Sequence, residues 1–132
     1  LQHFSDVLTV GECVHFLGAR QNVSALLAEV DMVWIPSYRN TGVNTALEAM
    51  AAGRPLVATR MPILLELLPT ELRPHLVATK DQGSLARQTR LLLNDRDRCA
   101  QLGEIGRRHV AEHFPLKELL ERSACLYEEV SQ

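Results

Sequence analysis

The stretch Trp34-Ile-Pro-Ser-Tyr-Arg-Asn-Thr-Gly-Val-Asn-Thr-Ala-Leu-Glu-Ala-Met-Ala-Ala-Gly-Arg-Pro-Leu-Val-Ala-Thr59 constrains this chain more than any other. It holds a strand end, a polar loop, a helical segment stopped by Gly53 and Pro55, and a second apolar strand. Strand, crossover helix and strand in so short a span imply parallel pairing with a right-handed connection. In such sheets ligands sit beyond the carboxyl ends of the strands, where helix N-termini present free N–H groups and a positive dipole end. A phosphate-bearing ligand is the first expectation for this loop.

The flanking sequence continues the alternation. Val14-His-Phe-Leu-Gly18 is a short apolar run closed by Gly, predicting a strand, and Ser24 then opens Ala25-Leu-Leu-Ala-Glu-Val30 as a helix N-cap. Met32–Ile35 and Leu56–Ala58 are predicted strands around a helix over Thr45–Ala52. His75–Thr79 is a fourth predicted strand, and Ser84–Asn94 a helix with Leu85, Leu91 and Leu92 inward. Beyond it the pattern is helical over Asp95–Phe114 and Leu116–Val130, broken at Pro115, with Leu102, Val110, Leu119, Leu120 and Tyr127 as anchors. Gly103 and Gly106 fall inside the first of these helices, where each costs about 1 kcal/mol relative to Ala, which predicts close approach of another backbone. The fold class is α/β: a Rossmann-like three-layer domain with a parallel sheet and C-terminal helices.

Composition excludes several functions. At 132 residues the chain fits one domain with its own core. Acidic and basic residues are interspersed to a net charge of −2 and aromatics are only 5%, which argues against a nucleic-acid partner. The apolar runs are too short for a transmembrane segment. The start, Leu1-Gln-His-Phe-Ser-Asp6, has no secretory-signal pattern, so a cytoplasmic protein is expected, with peripheral membrane association of the full-length protein left open. Cys13, Cys99 and Cys125, widely spaced in apolar surroundings, are expected to be reduced, buried thiols without chemistry.

Pro36-Ser37 followed by Leu47-Glu-Ala-Met-Ala-Ala-Gly-Arg-Pro-Leu-Val-Ala-Thr59 resembles the donor-binding core of the group 1 glycosyltransferases, which have the GT-B fold. Val14–Gly18, Leu26-Leu-Ala-Glu-Val-Asp31 and Arg107-Arg-His-Val-Ala-Glu-His-Phe114 extend the resemblance over nearly the whole chain. The resemblance implies a nucleotide-sugar-binding domain, 1–132, that helps transfer a sugar from a nucleotide diphosphate sugar to an acceptor, usually with retention and without a metal or other cofactor. The acceptor, a sugar or a lipid-linked one, would bind a separate N-terminal domain. That domain and the first strand of the donor domain are not in this sequence, so the chain is expected to be a fragment, inactive alone.

The same resemblance assigns site residues. The family carries two glutamates separated by seven residues, the first on sugar hydroxyls and the second on the ribose, and Glu48 matches the second. A carboxylate suits a vicinal diol because its oxygens accept both O–H bonds. The residue-level alternative is a capping box, Thr45-Ala-Leu-Glu48, serving only the helix start. The first glutamate is replaced by Asn40, which either meets a different sugar, one with an acidic or acylated substituent, or stabilises a turn. Thr41, Gly42, Val43, Asn44 and Thr45 occupy the place of a Gly-aromatic-Gly run near the donor phosphates, with a plain loop and Asn44 or Thr45 as N-cap being the alternative. Ser37 and Arg20 are expected at the edge of the base and phosphate region. Pro62-Ile63 stands where the family has two glycines, and Glu66 matches a recurrent glutamate that caps a helix or lines the pocket. These departures motivate a second reading, a non-catalytic domain of the same fold with a structural or regulatory binding role. His109-Val-Ala-Glu-His113 also fits the H-x-x-E-H pattern of zinc peptidases, but it falls in the family's closing helix, so no metal site is assigned.

Overall fold

The computed structural model describes residues 2–39 and 42–130. Asn40 and Thr41, two of the expected site residues, lie outside this set. The chain opens with a short helix α1 (Gln2–Val7) and a 3-10 turn (Gly11–Cys13), followed by α2 (Val23–Glu29), β1 (Val33–Ile35), α3 (Val43–Ala51), β2 (Leu56–Thr59) and α4 (Pro62–Leu67). A second 3-10 turn (Arg73–His75) leads into β3 (Leu76–Val77), then α5 (Gln82–Leu93), α6 (Arg96–His113) and α7 (Leu116–Val130).

The sheet is parallel throughout, in the order β1-β2-β3, with Ile35 opposite Ala58 and Thr59 opposite Val77. Every residue of central β2 is buried, so both faces of the sheet are covered, as parallel sheets require. Helix α3 packs on β1 and β2, α5 on β2 and β3, and α6 on α3 and α5. Leu56, Val57, Ala58, Leu64, Leu76, Leu92 and Leu102 form one apolar cluster with Ile35 and Met50. Each of these side chains other than Ala58 contributes about 1.5–3 kcal/mol when fully buried. The architecture is the α/β, Rossmann-like parallel arrangement that the alternating pattern predicts.

Helix α3 is stopped as its sequence implies. Gly53, at φ +67°, donates to Met50 O at 2.9 Å, and Arg54 donates to Ala49 O at 2.9 Å, the double closure of a helix that ends on a left-handed residue. That turn meets α6 at Gly103, where an added Cβ would lie 2.0 Å from Gly53 O; at Gly106 it would lie 3.0 Å from Met50 Cγ. The expected close approach is thus real at both glycines, and at Gly103 it is backbone against backbone.

Several local expectations are corrected. Residues 14–18 form no strand, and Val14, Phe16 and Leu17 are exposed. The described sheet begins at β1, so this segment finds no ladder for its backbone groups. The N-cap of α2 is Asn22, whose Oδ1 accepts from Ala25 N at 3.3 Å; Ser24 instead donates to that oxygen at 2.9 Å. His75 closes the 3-10 turn, and β3 starts after it.

Leu91 is 60% exposed, because Leu85, Thr89 and Leu92 already define the inner face of α5 at i, i+4 and i+7. Leu102 is buried and Val110 packs against the core, but Leu120 and Tyr127 on α7 are exposed, and the side chain of Leu119 lies outside the described set. Cys13 and Cys125 are exposed rather than buried. Cys99 is half-buried, and its thiol donates to Leu92 O at 3.1 Å. Burial pushes that thiol's pKa up, and Asp95 and Asp31 add to the effect.

Candidate donor site

The loop leaving β1 carries most of the expected site residues, and it folds back on the strand it came from. β1 ends at Ile35, and Pro36 opens the loop that follows. Ser37 is half-buried, with its hydroxyl donating to Arg39 O at 3.3 Å. Gly42 sits at φ +94°, and a Cβ built there would lie 2.6 Å from Ile35 Cγ2. Only glycine fits both the conformation and the contact.

Gly42 is the N-cap of α3 and accepts from Ala46 N at 2.9 Å. The helix therefore starts at Val43, earlier than the predicted Thr45. This corrects the capping expectations for Asn44 and Thr45, because both lie within the first turn and are exposed. It also removes the Thr45–Glu48 capping box, since Thr45 is not the cap residue. No side chain among the described residues caps α3, whereas Asn22, Asp81 and Asp95 cap α2, α5 and α6. The first turn of α3 contains no acidic residue. Among the described residues the N–H groups of Val43, Asn44 and Thr45 have no partner, as at any uncapped helix start.

One turn further on, Glu48 is exposed, and its carboxylate has no hydrogen-bond or ion-pair partner among the described residues. It lines a groove of about 510 Å³ between α2 and α3, together with Gln21, Ser24, Leu27, Ala28 and Ala52. Arg20 is exposed beside this groove in sequence but does not line it; Gln21 does. Gln21 and Ser24 were not among the expected site residues. The one sequence signal for Gln21 is a polar side chain immediately before the N-cap of the helix that faces Glu48.

Pro62 occupies the first position of α4, the one helical position where its missing N–H costs nothing, and Ile63 packs against the core. The backbone after β2 therefore continues as a helix. Glu66 is exposed on α4 and does not cap it; the N-cap position is Met61. On α6, a ring nitrogen of His109 (Nε2) hydrogen-bonds Leu67 O at 2.9 Å, His113 bonds His109 O at 3.0 Å, and the two rings stack at 4.4 Å. Both histidines fasten helices, and no cluster of three metal-ligating side chains occurs among the described residues.

A family model described as glycosyl transferases group 1 matches residues 1–95. The chain belongs to the group 1 glycosyltransferases. Among curated group 1 relatives, N-acetyl-alpha-D-glucosaminyl L-malate synthase of Bacillus anthracis is 30% identical over 93% of this chain and 32% of its own length. MMP alpha-(1->4)-mannosyltransferase of Mycolicibacterium hassiacum is 32% identical over 82% of this chain and 26% of its own length. Sucrose-phosphate synthase from Thermosynechococcus elongatus superposes with a TM-score of 0.88 at 25% identity, covering 98% of this chain and 33% of that one. The chain thus spans about a third of the length of the curated glycosyltransferases it matches. No helix among its described residues is long and apolar enough to cross a membrane.

Proposed function

We propose that this chain is the donor-binding part of a glycosyltransferase that moves a sugar from a nucleotide diphosphate sugar to an acceptor held by another part of the same enzyme. The observation that carries the reading is the pairing of an uncapped α3 N-terminus with an unpartnered carboxylate one turn away in an open groove. Glu48 accepts the two ribose hydroxyls through its two oxygens, as charge-assisted hydrogen bonds roughly twice as strong as neutral ones. The N–H groups of Val43, Asn44 and Thr45 meet the diphosphate, where the helix dipole favours negative charge. Gln21 and Ser24 offer polar contacts from the opposite wall of the groove.

Catalysis in this reading is positioning plus stabilisation of the departing diphosphate. Backbone donors carry the charge, so the reading needs no metal, and the transfer is taken to be retaining. The relatives' names, a mannosyltransferase and a glucosaminyl malate synthase, differ in the sugar they carry and select none for this chain. A cytoplasmic location goes with a nucleotide-sugar donor.

Calorimetric titration of the chain with UDP, GDP and ADP, repeated on Glu48→Ala, tests the assignment. Saturable binding of one nucleotide, weakened at least about ten-fold by the substitution, is expected for a lost pair of charge-assisted bonds. Equal affinity in the variant removes Glu48 from the site. A non-catalytic role of the same fold draws on the helical start at Pro62-Ile63, and it moves ahead if no nucleotide binds at millimolar concentration.

A further inference from the structure

Thr59 is the last residue of β2, and it is buried although polar. Its hydroxyl lies 3.3 Å from Ile35 O and hydrogen-bonds Ser37 O. These carbonyls flank Pro36, the first residue after β1. The Thr59 side chain thus ties the start of the loop to the end of β2. The loop's far end returns to the same place, since Gly42 packs against Ile35 Cγ2 with no room for a Cβ. One residue of β1 therefore anchors both ends of the loop, its carbonyl through Thr59 and its side chain through Gly42.

We propose that Thr59 is a positioning residue of the donor site, holding the loop from β1 to α3 so that Ser37 and the α3 N-terminus keep a fixed relation to the strand ends. The proposal rests on the reading of that loop as the donor site. Thr59 lies behind the loop and acts only through the two carbonyls. A hydroxyl is needed there, and the branched methyl is not. Valine fits the buried strand position equally well but donates nothing, whereas serine keeps the donor.

The test compares wild type, Thr59→Val and Thr59→Ser by amide hydrogen exchange, thermal unfolding, and calorimetry with the nucleotide that wild type binds. In Thr59→Val, exchange at Ala46, whose N–H bonds the carbonyl of the loop's last residue, Gly42, is expected to rise about ten-fold, as when one hydrogen bond of a local closure is lost. Exchange in β2 and α6 stays unchanged, and nucleotide affinity falls about ten-fold for the same lost bond. Thr59→Ser restores both. A variant that lowers protection uniformly across the chain, or a serine that fails to rescue, reduces Thr59 to an ordinary buried strand residue and overturns the proposal. So does unchanged exchange at Ala46 in Thr59→Val, or a loosened loop with unchanged affinity. If wild type binds no nucleotide, the functional reading falls and takes the positioning role with it; the exchange data still decide separately whether the hydroxyl holds the loop.

Discussion

Gly103 and Gly106 sit one turn apart on α6 and face the same helix, yet a methyl group added to each meets different neighbours. At Gly103 it would be driven 2.0 Å from the Gly53 carbonyl oxygen, which is backbone and cannot swing away. At Gly106 it would meet the Met50 side chain at 3.0 Å, and Met is flexible. Gly103→Ala is therefore expected to destabilise by about 3 kcal/mol or more, near the upper end for overpacking. For Gly106→Ala the strain is offset by about 1 kcal/mol of helix propensity, leaving a change of about 1 kcal/mol or less. Urea midpoints of the two variants check the ordering, and equal losses would refute it.

His75 supplies the pH-sensitive residue. Gln88 hydrogen-bonds its Nδ1 at 2.6 Å, its Nε2 is buried without a partner among the described residues, and burial, with Arg98 adding to it, lowers its pKa below the ordinary histidine value. The folded state thus favours the neutral ring, and the unfolded chain takes up a proton first as the pH falls. Stability attributable to His75 is full above the ordinary histidine pKa of about 6.5 and declines as the pH drops through that value toward the lowered folded one. The urea midpoint is expected to fall between pH 7 and pH 5, and to fall less in His75→Gln.

At the level of elements, the caps divide the helices into two groups. Asp95 accepts from Arg98 N at 2.9 Å, so Asp95→Ala is expected to cost about 1 kcal/mol, read as a shifted denaturation midpoint without a changed slope. Helix α3 has no such cap to lose, and that absence was not legible from its sequence. Thr45-Ala-Leu-Glu48 satisfies the pattern of a capping box, but a glycine three residues earlier can adopt the left-handed conformation and start the helix sooner. Local pattern also misplaced Ser24, because Asn22 is the equally good cap that stands first.

What pattern did show was the β-α-β unit around residues 34–59, since its apolar runs and its Gly53-Pro55 stop agree at every level. The segment at 14–18 failed for the opposite reason. A strand is defined by its partner, and apolar character alone does not provide one. In the candidate site, Glu48 was legible because it belongs to a motif. Gln21 and Thr59 were not, because each matters through a contact made by distant parts of the chain.

Across the whole molecule, the fold's stability is concentrated in the sheet and in α3, α5 and α6, which carry the buried cluster. Among the described residues helix α7 adds little to it: Leu120, Leu126, Tyr127 and Val130 are all exposed, and no other element packs extensively against the described part of the helix. Removing residues 116–132 is therefore expected to shift Tm by about 4 °C or less, the range for changes of up to about 1 kcal/mol at the surface. A larger fall by calorimetry would show that α7 is part of the cooperative unit.

The anchoring of the loop from β1 to α3 has an engineering consequence. With one end tied at Ser37 and the other at Gly42, the exposed side chains of Tyr38 and Arg39 lie between two fixed points. A longer insert there adds closure entropy of only about 0.6 kcal/mol per doubling of loop length. Libraries confined to Tyr38 and Arg39 can thus vary the chemistry offered to a donor while β1, β2 and the start of α3 stay where they are.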